Sequence, residues 1–245
     1  HNEEARMVRN LKAIGIHVRD FDPATGKQWT VEFLGGHVKG HTDGVAHGFP
    51  EAPMKTHVLE CKTHNEKSFK ELVSKGVKTA KPGHYRQMMA YMHFGGWDRA
   101  FYLAQNKNTD EIYAERVNYD PVEGSQIALR MERIVTAQEP PARISDKPDF
   151  FQCKFCAKAD VCHAGQWPLR SCRTCLHSTP DTVSGGWTCA KDGGPIDSET
   201  MPVGCTSHLF IPALVPGEQT DADEAAQTVT YRLRTGGTWI DGARA

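Results

Sequence analysis

The sequence lacks any run of about 18 apolar residues, which is the length that a membrane-spanning helix requires. No N-terminal signal peptide is visible either, so we expect no membrane partner and a cytoplasmic location. The chain also lacks an excess of positive charge, because 29 Lys and Arg face 30 Asp and Glu, for a formal charge of −1. This balance excludes a protein that holds nucleic acid by bulk basic charge. The chain begins at His1 instead of Met, and we expect a preceding segment.

Cysteine is nearly absent from the first 150 residues, where only Cys61 occurs. The other seven cysteines fall between Cys153 and Cys205 and include two CxxC pairs. In that spacing one turn offers two thiolates to a metal, so bound metal is favoured over disulfides. Hydrophobic residues make up 39% and charged residues 24% of the 245 positions, which is enough for a folded core plus an appendage.

The first 147 residues are predicted to form an α/β core. Apolar spacing predicts a helix over residues 3–14, followed by extended segments over 17–21, 29–34, 38–46 and 56–61. Helices over 66–75 and 84–94, strands over 99–105 and 111–117, and a helix over 120–137 complete the segment. This order of elements is typical of an α/β or α+β domain.

The composition changes towards Cys, Gly and Pro in the second part of the chain. Residues 148–216 hold few large apolar side chains, so bound metal is expected to hold them together as a small zinc-binding module. Residues 217–226 have the composition of an acidic linker, and residues 228–242 predict a terminal β-hairpin. The predicted organisation is therefore a core (1–147), a cysteine-rich module (148–216), and a linker with a hairpin (217–245).

Two carboxylates and a lysine are predicted to meet where two strands end. Asp43 lies in GHTDGV, and the next strand ends in Leu59-Glu60-Cys61-Lys62. Glu60 and Lys62 are two apart on an extended strand, so their side chains share a face while Cys61 points away. If the strands pair, Asp43 lies beside Glu60, and the two carboxylates with the Cys61 carbonyl suit Mg²⁺ or Mn²⁺. Lys62 would then supply positive charge to a transition state.

Two features of the following segment suit a site that handles phosphate. Between Lys62 and Arg86, seven Lys or Arg stand against two Glu, a local excess of five positive charges that matches a phosphate backbone. The same residues would also serve as an ordinary solvated helix face. Gln87 and Tyr91 are four apart, so they lie on one helical face and can together reach a phosphate or a metal-bound water.

These motifs carry a family resemblance. The order Asp43, Glu60-Cys61-Lys62 and Gln87-xxx-Tyr91 resembles the PD-(D/E)XK nuclease superfamily, and the Gln-xxx-Tyr helix is similar to its RecB-like exonuclease branch. The resemblance spans about residues 1–118. It implies a restriction-endonuclease-like α/β fold with a mixed central sheet flanked by helices. It also implies metal-dependent hydrolysis of DNA phosphodiesters, often from an end.

Histidines provide further candidate ligands. In the RecB-like branch an upstream helix commonly carries a metal-binding His, and the resemblance therefore implies a ligand role for His1. Three more histidines flank Asp43, namely His37, His41 and His47. On one continuous strand they would share a face with that carboxylate, as a zinc hydrolase would require. We prefer a structural or DNA-facing role for them, because the Glu-x-Lys segment already accounts for a hard-metal site.

Two cysteine sets are predicted to bind metal. The first comprises Cys153, Cys156, Cys162 and His163. Members of the RecB-like branch often carry a C-terminal CxxCx₅C that joins an earlier Cys to hold a [4Fe–4S] cluster. Here no Cys precedes Cys61, so either the fourth ligand lies upstream or His163 completes a zinc site, which we favour. The second set, a stronger zinc signal, comprises Cys172, Cys175, Cys189 and Cys205.

We therefore expect a metal-dependent DNA nuclease, an exonuclease of PD-(D/E)XK type, followed by a zinc-binding module. Asp43 and Glu60 would hold the cation, Lys62 would stabilise charge, and Gln87 and Tyr91 would orient the substrate. DNA is the expected substrate, and the expected partners are recombination, repair or replication proteins of a bacterium, or of a phage in its host cytoplasm. One alternative is a nucleic-acid-binding or scaffold protein with an inactive nuclease fold. The other is a zinc hydrolase built on the histidines around Asp43.

Overall fold

A computed structural model of the chain describes residues 2–242, with side chains from residue 3 onward. Contacts divide the chain into two compact units, residues 1–132 (unit 1) and residues 133–245 (unit 2). Residues 148–216 and the described part of the following segment, which were predicted as separate parts, both belong to unit 2. Across the described residues, no helix combines the length and the apolar character that crossing a bilayer demands.

Unit 1 alternates helices and short strands along the chain. Its helices are α1 (Asn2–Ala13), α2 (Glu66–Ala80), α3 (Pro82–Gly95) and α4 (Pro121–Thr136), the last of which runs past the unit boundary. Its strands are β1 (His17–Arg19), β2 (Thr30–Phe33), β3 (Val38–His41), β4 (Gly44–His47), β5 (His57–His64), β6 (Arg99–Asn106) and β7 (Ile112–Asn118). The order of these elements is the predicted one, except that one predicted strand is divided between β3 and β4.

Five strands form one mixed sheet in the order β1-β4-β5-β6-β7. The pair β5 and β6 is parallel, whereas the other neighbours are antiparallel. The chain returns from β5 to β6 through α2 and α3, which is the long connection that a parallel pair requires. Strands β2 and β3 pair separately as a hairpin. The mixed central sheet flanked by helices agrees with the predicted fold class.

The sheet separates two apolar layers. On one face, Met7, Val8 and Leu11 of α1 pack with Leu59 and Cys61 of β5. The apolar side chains of α1 recur at i, i+1 and i+4, the spacing that turns one stripe of a helix towards a sheet. Helices α2 and α3 cover the opposite face in a larger apolar layer. Because successive side chains of a strand point to opposite faces, β5 contributes to both layers.

The prediction of one continuous strand over residues 38–46 is wrong. Strand β3 pairs with β2, β4 pairs with β1 and β5, and Thr42 and Asp43 lie between them. Gly44 has φ +145°, a conformation that other residues rarely adopt, and a Cβ there would lie 3.0 Å from the Arg19 carbonyl oxygen. The chain therefore changes direction next to Asp43, at the start of β4.

Unit 2 is built from short elements. Its helices are α5 (Phe151–Lys154), α6 (Ala159–His163) and α7 (Thr200–Val203). One three-stranded sheet contains β8 (Ser178–Pro180), β9 (Trp187–Cys189) and β10 (Gly194–Pro195). A second contains β11 (Gly217–Asp223), β12 (Thr228–Leu233) and β13 (Thr238–Asp241). A small apolar core under the second sheet comprises Phe210, Val215, Val229 and Tyr231.

The prediction of an acidic linker over residues 217–226 is also wrong. Residues Gly217–Asp223 form β11, which pairs antiparallel with β12 and adds a third strand to the predicted terminal hairpin. All residues of β11 except Gly217 are exposed. The composition resembles that of a linker because this edge strand is held through its backbone and not through buried side chains.

Candidate active site

Asp43 lies directly before β4 and faces the edge of β5. Its Oδ2 accepts a hydrogen bond from the backbone N–H of Cys61 at 2.7 Å. Gly44, the first residue of β4, pairs with Leu59, and the Asp43 carboxylate extends the hydrogen bonding along β5 beyond that pair. The N–H and C=O groups of one strand residue leave by the same edge, so the Cys61 carbonyl also faces this side.

Glu60 and Lys62 lie on the other face of β5 from the buried Cys61 thiol. Lys62 Nζ forms an ion pair with Glu60 Oε1 and lies 3.9 Å from Asp43 Oδ2. The Glu60 side chain is fully buried, whereas that of Lys62 remains 27% exposed. The structure thus brings these three charged side chains together, with a single ammonium between two carboxylates.

Burial dominates the electrostatics of both carboxylates. It raises the pKa of Glu60 to about 7, although the Lys62 ammonium opposes the shift. Burial also raises the pKa of Asp43, against the effect of the Cys61 N–H and of Lys62. For Lys62, burial acts to lower the pKa, but the Glu60 and Asp43 carboxylates together outweigh it and the pKa lies above its ordinary value. Desolvation therefore disfavours the charged forms of both carboxyl groups, and the single ammonium of Lys62 offsets this effect only in part.

Helix α3 places a polar pair against the acids. Gln87 Nε2 donates to Tyr91 OH at 2.8 Å and makes a long hydrogen bond of 3.4 Å to Glu60 Oε2. Tyr91 OH in turn donates to the His41 carbonyl oxygen at 2.8 Å. The tyrosine ring reaches that carbonyl over Gly40, where a Cβ would collide with the ring. The Gln-xxx-Tyr pair is thus tied both to the buried carboxylate and to β3.

Glu4 is a site residue that sequence reasoning missed. Burial and then repulsion from Asp43 raise the pKa of this α1 carboxyl group, and Lys62 acts against them. Glu4 and Lys62 also line a cleft of about 620 Å³ together with Lys107. The available signal was the position of Glu4 beside the apolar stripe that holds α1 on the sheet. His1, the predicted ligand on this helix, lies outside the described residues.

The donor set fits a hard cation. From residue 2 to residue 242, no group of three or more His, Cys, Asp or Glu side chains is close enough to hold a metal ion. The set available here is smaller, namely the carboxylates of Asp43 and Glu60 and the backbone oxygen of Cys61. Apart from the ion pair with Lys62, Glu60 Oε1 has no hydrogen-bond partner among the described residues. Buried oxygen ligands with uncompensated negative charge suit Mg²⁺ or Mn²⁺.

A hydrogen-bonded row continues along β5 behind Lys62. His64 Nδ1 lies 3.1 Å from Ser68 Oγ, and its Nε2 lies 2.9 Å from Tyr102 OH. His84 Nδ1, on α3, lies 2.8 Å from the same hydroxyl. Burial, and after it Lys62, lowers the pKa of His84 to about 4, so the ring is neutral near pH 7. This row joins β5, α2, β6 and α3 next to the charged residues of the site.

The histidines around Asp43 do not share a face, because β3 and β4 are separate strands. His41 Nδ1 lies 3.0 Å from a threonine hydroxyl of β2. His47 instead stacks on His17 of β1, with ring centroids 4.9 Å apart. His37 lies between a 3₁₀ turn and β3. Within the part of the chain that the structure describes, the geometry gives no support to a histidine metal centre.

Most basic side chains between residues 62 and 86 are paired with acids. Six of the seven form ion pairs: Lys62, Lys70, Lys75, Lys78, Lys81 and Arg86. Two of the partners, Asp120 and Glu123, lie at the start of α4 and far away in sequence. The nearest partners from outside the segment are Glu60, Asp120 and Glu123, and these three acids reduce the predicted local excess of five positive charges to two in the folded chain.

The second predicted cysteine set lines one cavity of unit 2. This cavity of about 190 Å³ is bordered by Cys172, Cys175, Cys189 and Cys205 and also by His177 and His208. Burial, followed by the neighbouring thiolates, raises the pKa of Cys172. In the first set Cys153 is buried, whereas Cys156 and Cys162 are exposed. All eight cysteines lie within the described residues and are free thiols.

No protein-family model and no curated protein matches the chain. Among solved structures, the crystal structure of SSO0001 is similar over 65% of this chain and 66% of that chain, with 18% identity and a TM-score of 0.37. An alkaline exonuclease from Laribacter hongkongensis, LHK-Exo, is similar over 53% of this chain and 64% of that chain, with 16% identity and a TM-score of 0.38. The similar region is just under two thirds of either protein's length. At these TM-scores the likeness carries no argument about function.

Proposed function

We propose that unit 1 is a metal-dependent nuclease that hydrolyses phosphodiester bonds of DNA. The observation that carries this proposal is the meeting of Asp43, Glu60 and Lys62 at the edge of β5 where β4 begins. Three solvated side chains on the surface would not include a fully buried carboxyl group whose pKa is near 7, such as that of Glu60. Incompletely compensated carboxylates beside an ammonium are suited to a divalent cation and an anionic ester.

The residues of the site have separate proposed roles. Asp43, Glu60 and the Cys61 carbonyl would hold Mg²⁺ or Mn²⁺, and Glu4 lies near enough to influence their charge. When bound, such a cation acts as a Lewis acid and lowers the pKa of a coordinated water. Lys62 stays protonated near neutral pH, and its ammonium stabilises the negative charge that develops on the phosphate.

Gln87 and Tyr91 are proposed to act by orientation. The Gln87 amide uses one N–H for Glu60 and the other for Tyr91, so it limits the rotation of the Glu60 carboxylate. Tyr91 anchors the pair to the backbone of β3. A substrate phosphate would then bind to side chains that are already oriented, which reduces the entropy lost on binding.

Cleavage of end-labelled linear DNA and of closed circular DNA, each with Mg²⁺, Mn²⁺ or EDTA, tests this function. We expect cleavage of the linear substrate with either cation and none with EDTA, and the closed circle distinguishes an exonuclease from an endonuclease. Asp43→Asn and Lys62→Ala should each lower the rate by about 100-fold or more, because the first removes a charge that would hold the cation and the second removes the positive charge beside the phosphate. Arg130→Ala, which removes an exposed cation of α4, is the matched control and should cleave normally.

Two outcomes would contradict the proposal. Cleavage by Lys62→Ala at nearly the wild-type rate would exclude the mechanism. An inert wild-type protein that still binds DNA would favour the alternative of a nucleic-acid-binding or scaffold protein. A role in recombination, repair or replication stays a prediction.

We also propose that Cys172, Cys175, Cys189 and Cys205 hold a structural zinc ion in unit 2. The support is that all four free thiols border one cavity although they are spread over more than thirty residues of sequence. Among the described residues no three of these thiols are close enough to share an ion, so a bound zinc would have to draw them together around the cavity. Tetrahedral zinc with four thiolates is a common structural site. For the first set, a second zinc ion or a [4Fe–4S] cluster with an upstream ligand both stay predictions.

A further inference from the structure

A groove runs along α1 away from the candidate active site. It has a volume of about 330 Å³, and its lining includes Glu4, Arg9 and Lys12 of α1, Phe21, and Asp43. We call it the α1 groove. Asp43 belongs both to this lining and to the candidate site, so a molecule that fills the groove touches the acids of the site.

The aromatic side of the groove is formed by Phe21, which remains 56% exposed. Its backbone is held in place by a β-bridge to Gln28. The connecting turn is closed by a hydrogen bond of 2.8 Å from the N–H of Asp22 to the oxygen of Lys27. A single exposed Phe is common on protein surfaces, but an aromatic ring that lines a groove from an anchored backbone offers a face for stacking.

The cationic side of the groove is formed by α1. Arg9 and Lys12 are three residues apart and therefore lie on the same helical face. Lys12 Nζ is paired with Asp20 at 3.1 Å, whereas Arg9 has no ion pair among the described residues. A guanidinium without a protein partner can bind a phosphate through two parallel hydrogen bonds.

We propose that the α1 groove binds one nucleotide of a single DNA strand next to the bond that is cleaved, with the base on Phe21 and a phosphate on Arg9. The inference rests on the proposed nuclease function and adds its substrate class. Inside a duplex both faces of a base are covered by its neighbours, so an internal base can stack on Phe21 only after it has left the helix. A single strand has open base faces, and a groove of this size admits a nucleotide but no double helix.

Fluorescence anisotropy of labelled DNA tests the groove separately from cleavage. The probes are a 12-residue oligothymidylate and a blunt hairpin duplex, measured once with Ca²⁺ and once in EDTA. We expect the wild-type protein to prefer the single strand. Phe21→Ala and Phe21→Leu should each bind the single strand about 5- to 100-fold more weakly, and bind the duplex as the wild type does. Leucine keeps the apolar bulk but has no aromatic face.

The phosphate contact and the position of the stacked base can be tested with the same probes. Arg9→Ala should weaken single-strand binding. It should also reduce the slope of log binding constant against log salt concentration by about one. One abasic residue can be placed at successive positions of the oligothymidylate. At one position it should weaken binding to the wild-type protein, whereas binding to Phe21→Ala should not weaken further at any position. Ile112→Ala and Arg130→Ala, which change exposed residues away from the groove, are the matched controls and should bind normally.

The outcomes separate this inference from the proposed function. Wild-type affinity of Phe21→Leu for the single strand would overturn the groove, even if the protein cleaves DNA. If the Phe21 variants lost affinity equally for the single strand and for the duplex, the single-strand assignment would be overturned. If the wild-type protein cleaved no DNA but showed the abasic-site effect, the groove would be supported and the nuclease function would be wrong. A wild-type protein that binds neither probe would overturn the groove, and the cleavage assay would still decide the nuclease function on its own.

Discussion

At the scale of single residues, Glu60 shows how strongly burial changes chemistry. Its carboxyl group is fully buried, and its pKa rises from 4.5 to about 7 because desolvation outweighs the attraction of Lys62. The folded state therefore binds this proton more tightly than the unfolded state does. In the absence of metal, stability should consequently fall as the pH rises from 4.5 to 7, and the loss is complete above the folded-state pKa.

We expect Glu60→Gln to unfold at a higher temperature than the wild type at pH 8 in EDTA. The amide cannot ionise, and a shift of this size corresponds to up to about 3 kcal/mol. At pH 5 both proteins are neutral at this position, so their melting temperatures should be similar. The same variant should not cleave DNA, because it lacks a charge that the cation requires. Thermal unfolding at the two pH values checks the prediction, and destabilisation of Glu60→Gln at pH 8 would contradict it.

Gln87→Ala and Tyr91→Phe should lower the cleavage rate less than the changes at the charged residues do, by about 10-fold. They remove hydrogen bonds that orient the carboxylate, and leave the charges in place. Cleavage kinetics with separate kcat and KM values, normalised to the folded fraction, check this expectation. If Gln87 only supports the fold, the variant will melt earlier and its folded fraction will cleave DNA at the normal rate.

At the scale of elements, strand and helix ends determine where charged side chains meet. The sequence predicts that the second helix ends at residue 75, whereas α2 continues to Ala80 with an interruption at Gly76. The φ of Gly76 is +71°, and the next N–H, that of Val77, is donated to Glu115 at 2.8 Å instead. The local signal therefore marked a real break in the helix. It could not show that a carboxylate from β7 would satisfy the freed backbone group.

Gly44→Ala should disturb the site through the backbone. Alanine at φ +145°, with a Cβ 3.0 Å from the Arg19 carbonyl oxygen, is strained, so we expect a loss of more than about 1 kcal/mol in unfolding free energy. Cleavage should also fall, because the adjacent Asp43 would move away from the Cys61 N–H. Urea unfolding and the cleavage rate measure both effects. Gly83→Ala is the control, since a Cβ there meets no atom within 4 Å, and it should be neutral or slightly stabilising.

At the scale of the whole molecule, the two units differ in how they are held together. Unit 1 has two apolar layers on the two faces of one sheet, and it can fold by packing. Among the described residues, the apolar core of unit 2 is a small cluster under its second sheet. The region around β8, β9 and β10 borders the cavity with the four thiols, and structural metal is the expected source of its stability.

Removal of zinc should therefore affect unit 2 alone. Elemental analysis is expected to give one zinc atom per chain for the second cysteine set, and two if the first set also binds zinc. Chelation or Cys172→Ser should unfold the region around that cavity, because structural zinc contributes about 10–16 kcal/mol of apparent binding energy. Amide hydrogen exchange resolved by peptide should show protection lost in unit 2 and kept in unit 1. Zinc-free protein with intact protection would contradict the site, and iron with acid-labile sulfide would change the metal.

The sequence by itself determined the order of elements in unit 1, the alternation of Glu60, Cys61 and Lys62, and the clustering of cysteines. These features follow from the periods of strands and helices and from spacing along the chain, which are local properties. The sequence also placed Asp43 in an extended segment over residues 38–46, but it did not show that the strand would break there.

Only the tertiary structure decided the rest. It brought Glu4 near Asp43, paired the basic segment with acids of α4, opened the α1 groove and turned a linker-like segment into β11. Each of these depends on contacts between residues that are distant along the chain. Burial depends on the same contacts, so the raised pKa of Glu60 could not be read from its neighbours in sequence. Desolvation is a property of the packed molecule, and it reaches a side chain only when several elements close around it.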